Sequence, residues 1–72
     1  MSRTVRAEAP LVNTAYTPKA TVRYLELYYD LKAELIDGDA AVRLTGPEDQ
    51  VTSALTELWP ADVAADVPVE PV

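Results

Sequence analysis

TPKATVRYLELYYDLKAELIDGDAAVRLT, residues 17–45, decides the fold, because its apolar residues obey two periods at once. From Leu25 to Leu35 every odd position is apolar or aromatic (Leu25, Leu27, Tyr29, Leu31, Ala33, Leu35), while the even positions include Glu26, Asp30, Lys32 and Glu34. Alternation of this kind marks a strand with one buried face. It runs into Asp37-Gly38, a pair suited to the positive φ angles of a two-residue hairpin turn, and then into Ala40–Leu44. With Asp37 and Gly38 in the turn, Leu35 faces Ala40, Ala33 faces Val42 and Leu31 faces Leu44, so one face is apolar throughout. The other face sets Lys32 against Arg43, with Asp30 and Glu34 diagonal to them. A three-residue loop would oppose Ala33 to Arg43 and Glu34 to Val42, and is disfavoured.

A helix competes for the same residues. Thr17-Pro18 suits an N-cap followed by proline at the first helical position, Gly38 suits a C-terminal stop, and Tyr24, Leu27, Tyr28, Leu31 and Leu35 share one helical face. Such a helix would leave Leu25, Tyr29 and Ile36 off the stripe and align Glu26, Asp30 and Glu34 at repulsive four-residue spacing. The reading adopted is therefore a β-hairpin over 22–36 and 40–45. The alternative is a helix over 18–36, a strand over 40–45 and a helix over 47–58.

Toward the N-terminus, Val5, Ala7, Ala9 and Leu11 alternate with Arg6, Glu8 and Pro10. Proline donates no ladder hydrogen bond, so residues 3–9 are expected to form an edge strand. Residues 13–20 contain turn formers and read as a connection or an extended arm. Toward the C-terminus, Gly46-Pro47-Glu48-Asp49 combines a break, a helix-starting proline and two acids where the macrodipole favours them. Val51, Ala54, Leu55 and Leu58 follow as one helical stripe, and Pro60 ends a helix expected over 47–58. The last segment has three prolines with spaced acids and valines, a composition suited to extended chain. The fold expected is α+β, a small antiparallel sheet with one helix and extended termini. Its parts are an arm or edge strand over 1–20, a folded core over 21–59 and an acidic Pro/Val-rich tail over 60–72.

The 72-residue chain carries six Lys and Arg against twelve Asp and Glu, a formal net charge of −6. The six basic residues all lie within residues 1–43, and residues 44–72 hold six acids and no base. Repulsion from phosphate argues against direct binding of nucleic acid or of an anionic membrane surface. No apolar run reaches the roughly 20 residues of a membrane-spanning helix. The absence of cysteine fits a reducing compartment, so the expected location is the cytoplasm, or a virion if the protein is viral.

With neither histidine nor cysteine, nucleophile–imidazole catalysis is excluded, and two glycines supply no phosphate-binding loop. Glu26, Asp30 and Glu34 would share a strand face but read as a solvated surface, and Asp37-Gly38-Asp39 reads as a turn because the other ligands of a calcium loop are missing. No enzyme activity, cofactor or metal is expected. Both faces of residues 22–29 ask for cover, Val22, Tyr24 and Tyr28 on one and Leu25, Leu27 and Tyr29 on the other. One short helix covers only one of them, so a subunit contact or the arm of residues 10–20 should cover the second. Trp59 should pack the helix end onto the sheet, with an exposed contact role as the alternative, and Val67 and Val69 belong to a segment able to add to another protein's sheet. The residues expected to make contacts are Tyr24, Tyr28, Tyr29, Trp59, Val67 and Val69. The function expected is a structural or assembly subunit of a larger complex such as a virus particle, with a protein partner or a second copy of itself as ligand. The alternative is a small acidic inhibitor or antitoxin-like regulator occupying a basic site.

Overall fold

The computed structural model describes residues 3–11 and 16–72. The order of elements is β1 (Thr4–Pro10), α1 (Pro18–Tyr28), β2 (Lys32–Ile36), β3 (Ala41–Pro47), α2 (Glu48–Leu58), α3 (Ala61–Asp66) and β4 (Val69–Pro71). The strands form one four-stranded antiparallel sheet in the order β2-β3-β1-β4. β1 and β2 both pair antiparallel with β3, and β3 and β4 both flank β1, so each of the two helical connections spans a strand that lies between its ends. This is the split β-α-β, or ferredoxin-like, arrangement. The α+β class is as the sequence indicates, with three helices in place of one.

The largest difference lies in residues 18–28, which are helical. Thr17 caps the helix, its hydroxyl accepting from the Ala20 N–H at 3.2 Å, and Pro18 occupies the first turn. The alternation of Leu25 with Leu27 proves to be coincidence, for Leu25 is fully buried while Leu27 is 70% exposed. Stopping at Tyr28 removes the cost that counted against a longer helix, because Asp30 and Glu34 fall outside it. The inward face is Thr21 and Leu25 with Val22 and Tyr29 beside them, so Tyr24, Leu27 and Tyr28 do not form the buried stripe that the helical alternative required.

The hairpin exists, but its strand starts at Lys32 and its loop has four residues, Asp37–Ala40. Asp37, Gly38 and Asp39 all have positive φ, at 53°, 62° and 68°. Aspartate tolerates this region better than most side chains, and glycine adopts it freely. The register is shifted by two residues from the expected one, which keeps every side chain on its expected face. Ala33 now opposes Leu44, Leu35 opposes Val42, and Glu34 rather than Lys32 opposes Arg43. The shift replaces a like-charge pair with an attractive one.

β1 is interior rather than an edge. Pro10 is tolerated because it is the last residue of the strand, and β4 pairs with Val5–Ala7 on the other side. The tail is folded too, since residues 61–66 are helical and Val69–Pro71 is the β4 strand. In α2, Pro47 is the residue before the first turn, Glu48 and Asp49 lie in that turn, and Val51, Ala54 and Leu55 are buried. The connection expected over 13–20 lies outside the described residues from 13 to 15.

The core fills one side of the sheet. Val5, Ala7 and Ala9 of β1, Ala33 of β2 and Val42 and Leu44 of β3 meet Leu25 of α1 and Val51, Ala54 and Leu55 of α2, with Leu31 and Trp59 closing the two ends. The indole N–H of Trp59 donates to the Pro10 carbonyl at 2.6 Å, tying the end of α2 to the end of β1. At the other end β3 runs very close to the chain entering β2. A Cβ on Gly46 would lie 2.7 Å from Leu31 Cβ and 3.0 Å from Leu31 Cα. Because backbone lies there, Gly46→Ala should lower the unfolding free energy by about 1–3 kcal/mol, the range for overpacking. Denaturant titration followed by Trp59 fluorescence checks this, and an unchanged midpoint would contradict it.

Candidate tyrosine-lined contact surface

All four tyrosines of the chain gather around Tyr24. Its ring stacks on Tyr16 at a centroid distance of 5.6 Å, lies 4.6 Å from the ring of Tyr28, and approaches Tyr29 at 6.3 Å. The helix explains the grouping, since Tyr24 and Tyr28 are one turn apart and Tyr29 continues the same flank as α1 ends. Tyr29 alone is anchored inward, packing against the core while its hydroxyl donates to a Glu57 carboxylate oxygen on α2. Tyr28 is 69% exposed and Tyr16 46%.

Together with Leu27 these rings make an exposed apolar face on α1, with Ala20, Tyr24, Leu27 and Tyr28 at helical spacing and Lys19 and Arg23 along its border. Neither Lys19 nor Arg23 forms an ion pair among the described residues. The surface is therefore aromatic and aliphatic at its centre and cationic at its margin, although the chain as a whole is acidic.

Of the residues expected to make contacts, the structure brings Tyr24, Tyr28 and Tyr29 together. Trp59 is only 3% exposed and offers no surface to a partner, because its ring closes the core and its N–H is already bonded. Val67 packs half-buried against the core, and Val69 sits in β4 opposite Ala7. The segment read as a strand able to join another sheet thus joins its own. Tyr16, Leu27, Lys19 and Arg23 were not among the residues expected to make contacts, although Leu27 belongs to the helical face of the alternative reading. Helical spacing of 20, 24, 27 and 28 was the signal available for Leu27, and for Tyr16 it was the arm of residues 10–20 as one of the two covers expected for the face of Tyr24 and Tyr28, where Tyr16 stacks on Tyr24.

The other side of the sheet is polar and carries no helix among the described residues. Arg43 donates to Glu8 on β1 at 2.9 Å and to Glu34 on β2 at 3.2 Å, bridging three strands. Both carboxylates raise the guanidinium pKa above its usual value. Arg6 and Glu70 stand opposite each other on β1 and β4. No group of three or more metal-binding side chains is found among the described residues, and no helix there is long and apolar enough to cross a membrane.

No protein-family model, curated protein or solved structure matches this chain.

The Tyr29 contact has a pH signature. Burial, then the hydrogen bond to Glu57 and its negative charge, push the Tyr29 pKa from 10.0 up to about 12. A folded-state pKa raised above the unfolded value means that the stabilisation is complete below pH 10 and is lost as pH rises toward 12. Denaturant midpoints should therefore fall across that interval, and Tyr29→Phe should flatten the fall. Equal slopes for the two proteins would refute the assignment.

Proposed function

We propose that this protein is a non-enzymatic assembly subunit that binds another protein through the tyrosine-lined face of α1. The observation carrying the reading is the exposure of Leu27 and Tyr28, 70% and 69%, beside two stacked tyrosines. Exposed apolar groups gathered at one place, rich in tyrosine, have the composition of an interface core. Tyrosine loses little side-chain freedom when it is covered, and its hydroxyl accommodates a polar partner. The occupant we assign is a protein surface bearing apolar side chains flanked by acids, because Lys19 and Arg23 border the face with no ion partner among the described residues. Nucleic acid is a poor candidate for a chain of net charge −6. The absence of cysteine makes the cytoplasm the compartment this reading assumes.

The test is to identify the protein retained by the wild-type chain from an extract of its native host, purify it and titrate it against variants. Leu27→Ser with Tyr28→Ser should weaken stoichiometric binding by about tenfold or more, since these would be central contact residues. Both side chains are exposed, so the cost in stability should stay at about 1–2 kcal/mol, from the lost Tyr24–Tyr28 ring contact and the lower helix propensity of serine, with the fold kept. Reversing Lys19 and Arg23 to glutamate should lower the association rate and its salt dependence. Wild-type affinity in the double serine variant, or the absence of any stoichiometric partner, would overturn the reading.

A further inference from the structure

Among the described residues β2 is an outer strand of the sheet and pairs only with β3. Which of its backbone groups face outward follows from the phase of the next ladder. Leu11 N donates to Ala40 O and Glu48 N to Arg3 O, both at 2.9 Å, so Val42, Leu44 and Gly46 of β3 bond to β1. Ala41, Arg43 and Thr45 therefore turn their N–H and C=O groups toward Ile36, Glu34 and Lys32. Leu31, Ala33 and Leu35 are left pointing to the open edge. Leu31 N–H is satisfied locally by Tyr29 O at 2.9 Å, whereas Ala33 and Leu35 gain no such bond among the described residues.

Edge strands are commonly guarded against pairing by proline, bulges or unmatched charge. The opposite edge has such guards, for β4 is three residues long, ends on Pro71 and follows Pro68. β2 has no proline and an unbroken register, and an open depression lined by Glu26, Lys32, Ala33, Glu34, Arg43 and Thr45 lies along it.

We propose that this edge is where two copies of the protein associate, pairing β2 with β2 antiparallel about a two-fold axis at Ala33 and joining two four-stranded sheets into one. The occupant is a second copy because the strand is complementary to itself in that register. Lys32 opposes Glu34 of the second copy on the solvent side, and Glu34 opposes its Lys32. On the helix side Leu31 opposes Leu35, and the outward N–H and C=O groups of the two Ala33 residues meet. The neighbouring registers with the same bonding phase oppose Glu34 to Glu34 or Lys32 to Lys32, and both are repulsive. Lys32 has no ion pair within its own chain among the described residues, and Glu34 meets Arg43 through one carboxylate oxygen, Oε1. The dimer surface is distinct from the tyrosine-lined face.

Light scattering should show the mass rising with concentration from 7.8 kDa toward twice that value. Lys32→Glu should weaken the dimer about tenfold or more while circular dichroism shows the fold unchanged, and the Leu27→Ser, Tyr28→Ser variant should dimerise normally. The register is read by disulfide formation, which is clean because the chain has no cysteine. Lys32 and Glu34 of the second copy would be a non-hydrogen-bonded pair with Cα atoms about 4.5 Å apart, within disulfide range, whereas identical positions lie diagonally at about 7–8 Å. A mixture of Lys32→Cys and Glu34→Cys chains should therefore cross-link several-fold faster than either alone. A monomer at every concentration, or faster self-linking by Glu34→Cys alone, would overturn the proposal.

Discussion

Strand β3 is bonded on both sides, and its side chains have one workable placement. Val42 and Leu44 must face the helices, and Ala41, Arg43 and Thr45 must face solvent. A slip of one residue against either neighbour would bury Arg43 and expose the two largest apolar side chains of the strand. A slip of two against β2 keeps the faces but brings Lys32 opposite Arg43 in place of Glu34. Surface ion pairs contribute little individually, about 0–1 kcal/mol. Here Arg43 is held by a carboxylate on each neighbouring strand, at 2.9 Å and 3.2 Å, so its charge biases two registers together. The apolar layer selects the face and the charges select between registers that share it.

The remaining surfaces follow from a sheet covered on one side. α1 and α2 both contribute to the same core, so the helices lie together and leave the other side polar. The six-residue α3 extends this cover past the end of α2 through Val63 and Ala64, near the Trp59 bond to Pro10 that closes the core, and the three-residue β4 adds a short edge strand beside β1. α1 buries only a narrow face, which turns Tyr24, Leu27 and Tyr28 outward as the helix enters β2. A chain of this length has few apolar residues to spare, so a group of them left at the surface is a stronger pointer to a partner than it would be in a larger protein.

The division of the chain between sheet and helix was legible where one period acted alone. Lys32–Leu35 alternates cleanly, Val51, Ala54, Leu55 and Leu58 form a helical stripe, and both segments take those forms. Residues 22–31 satisfy both periods, and there the local signals at Thr17 and Pro18 prevail over the alternation of Leu25 and Leu27. The loop length was not legible, because Asp39 adopts a left-handed conformation that its residue type permits without requiring. The tail misleads for a related reason. Its prolines, Pro60, Pro68 and Pro71, fall at the ends of elements rather than within them, so a composition suited to extended chain also allows a short helix and a short strand. Of the contact surface, Tyr24, Tyr28 and Tyr29 were legible as aromatic residues in need of cover. The pairing of Tyr24 with Tyr16 depends on tertiary packing that sequence spacing does not encode.

The register of β3 against β2 is open to direct measurement through Hα–Hα nuclear Overhauser contacts, which are strongest between residues of non-hydrogen-bonded antiparallel pairs, where the Cα atoms are about 4.5 Å apart. The account predicts contacts between Ala33 and Leu44 and between Leu35 and Val42. Contacts between Ala33 and Val42 and between Leu35 and Ala40 would instead mean a two-residue turn with Lys32 facing Arg43, and would contradict it.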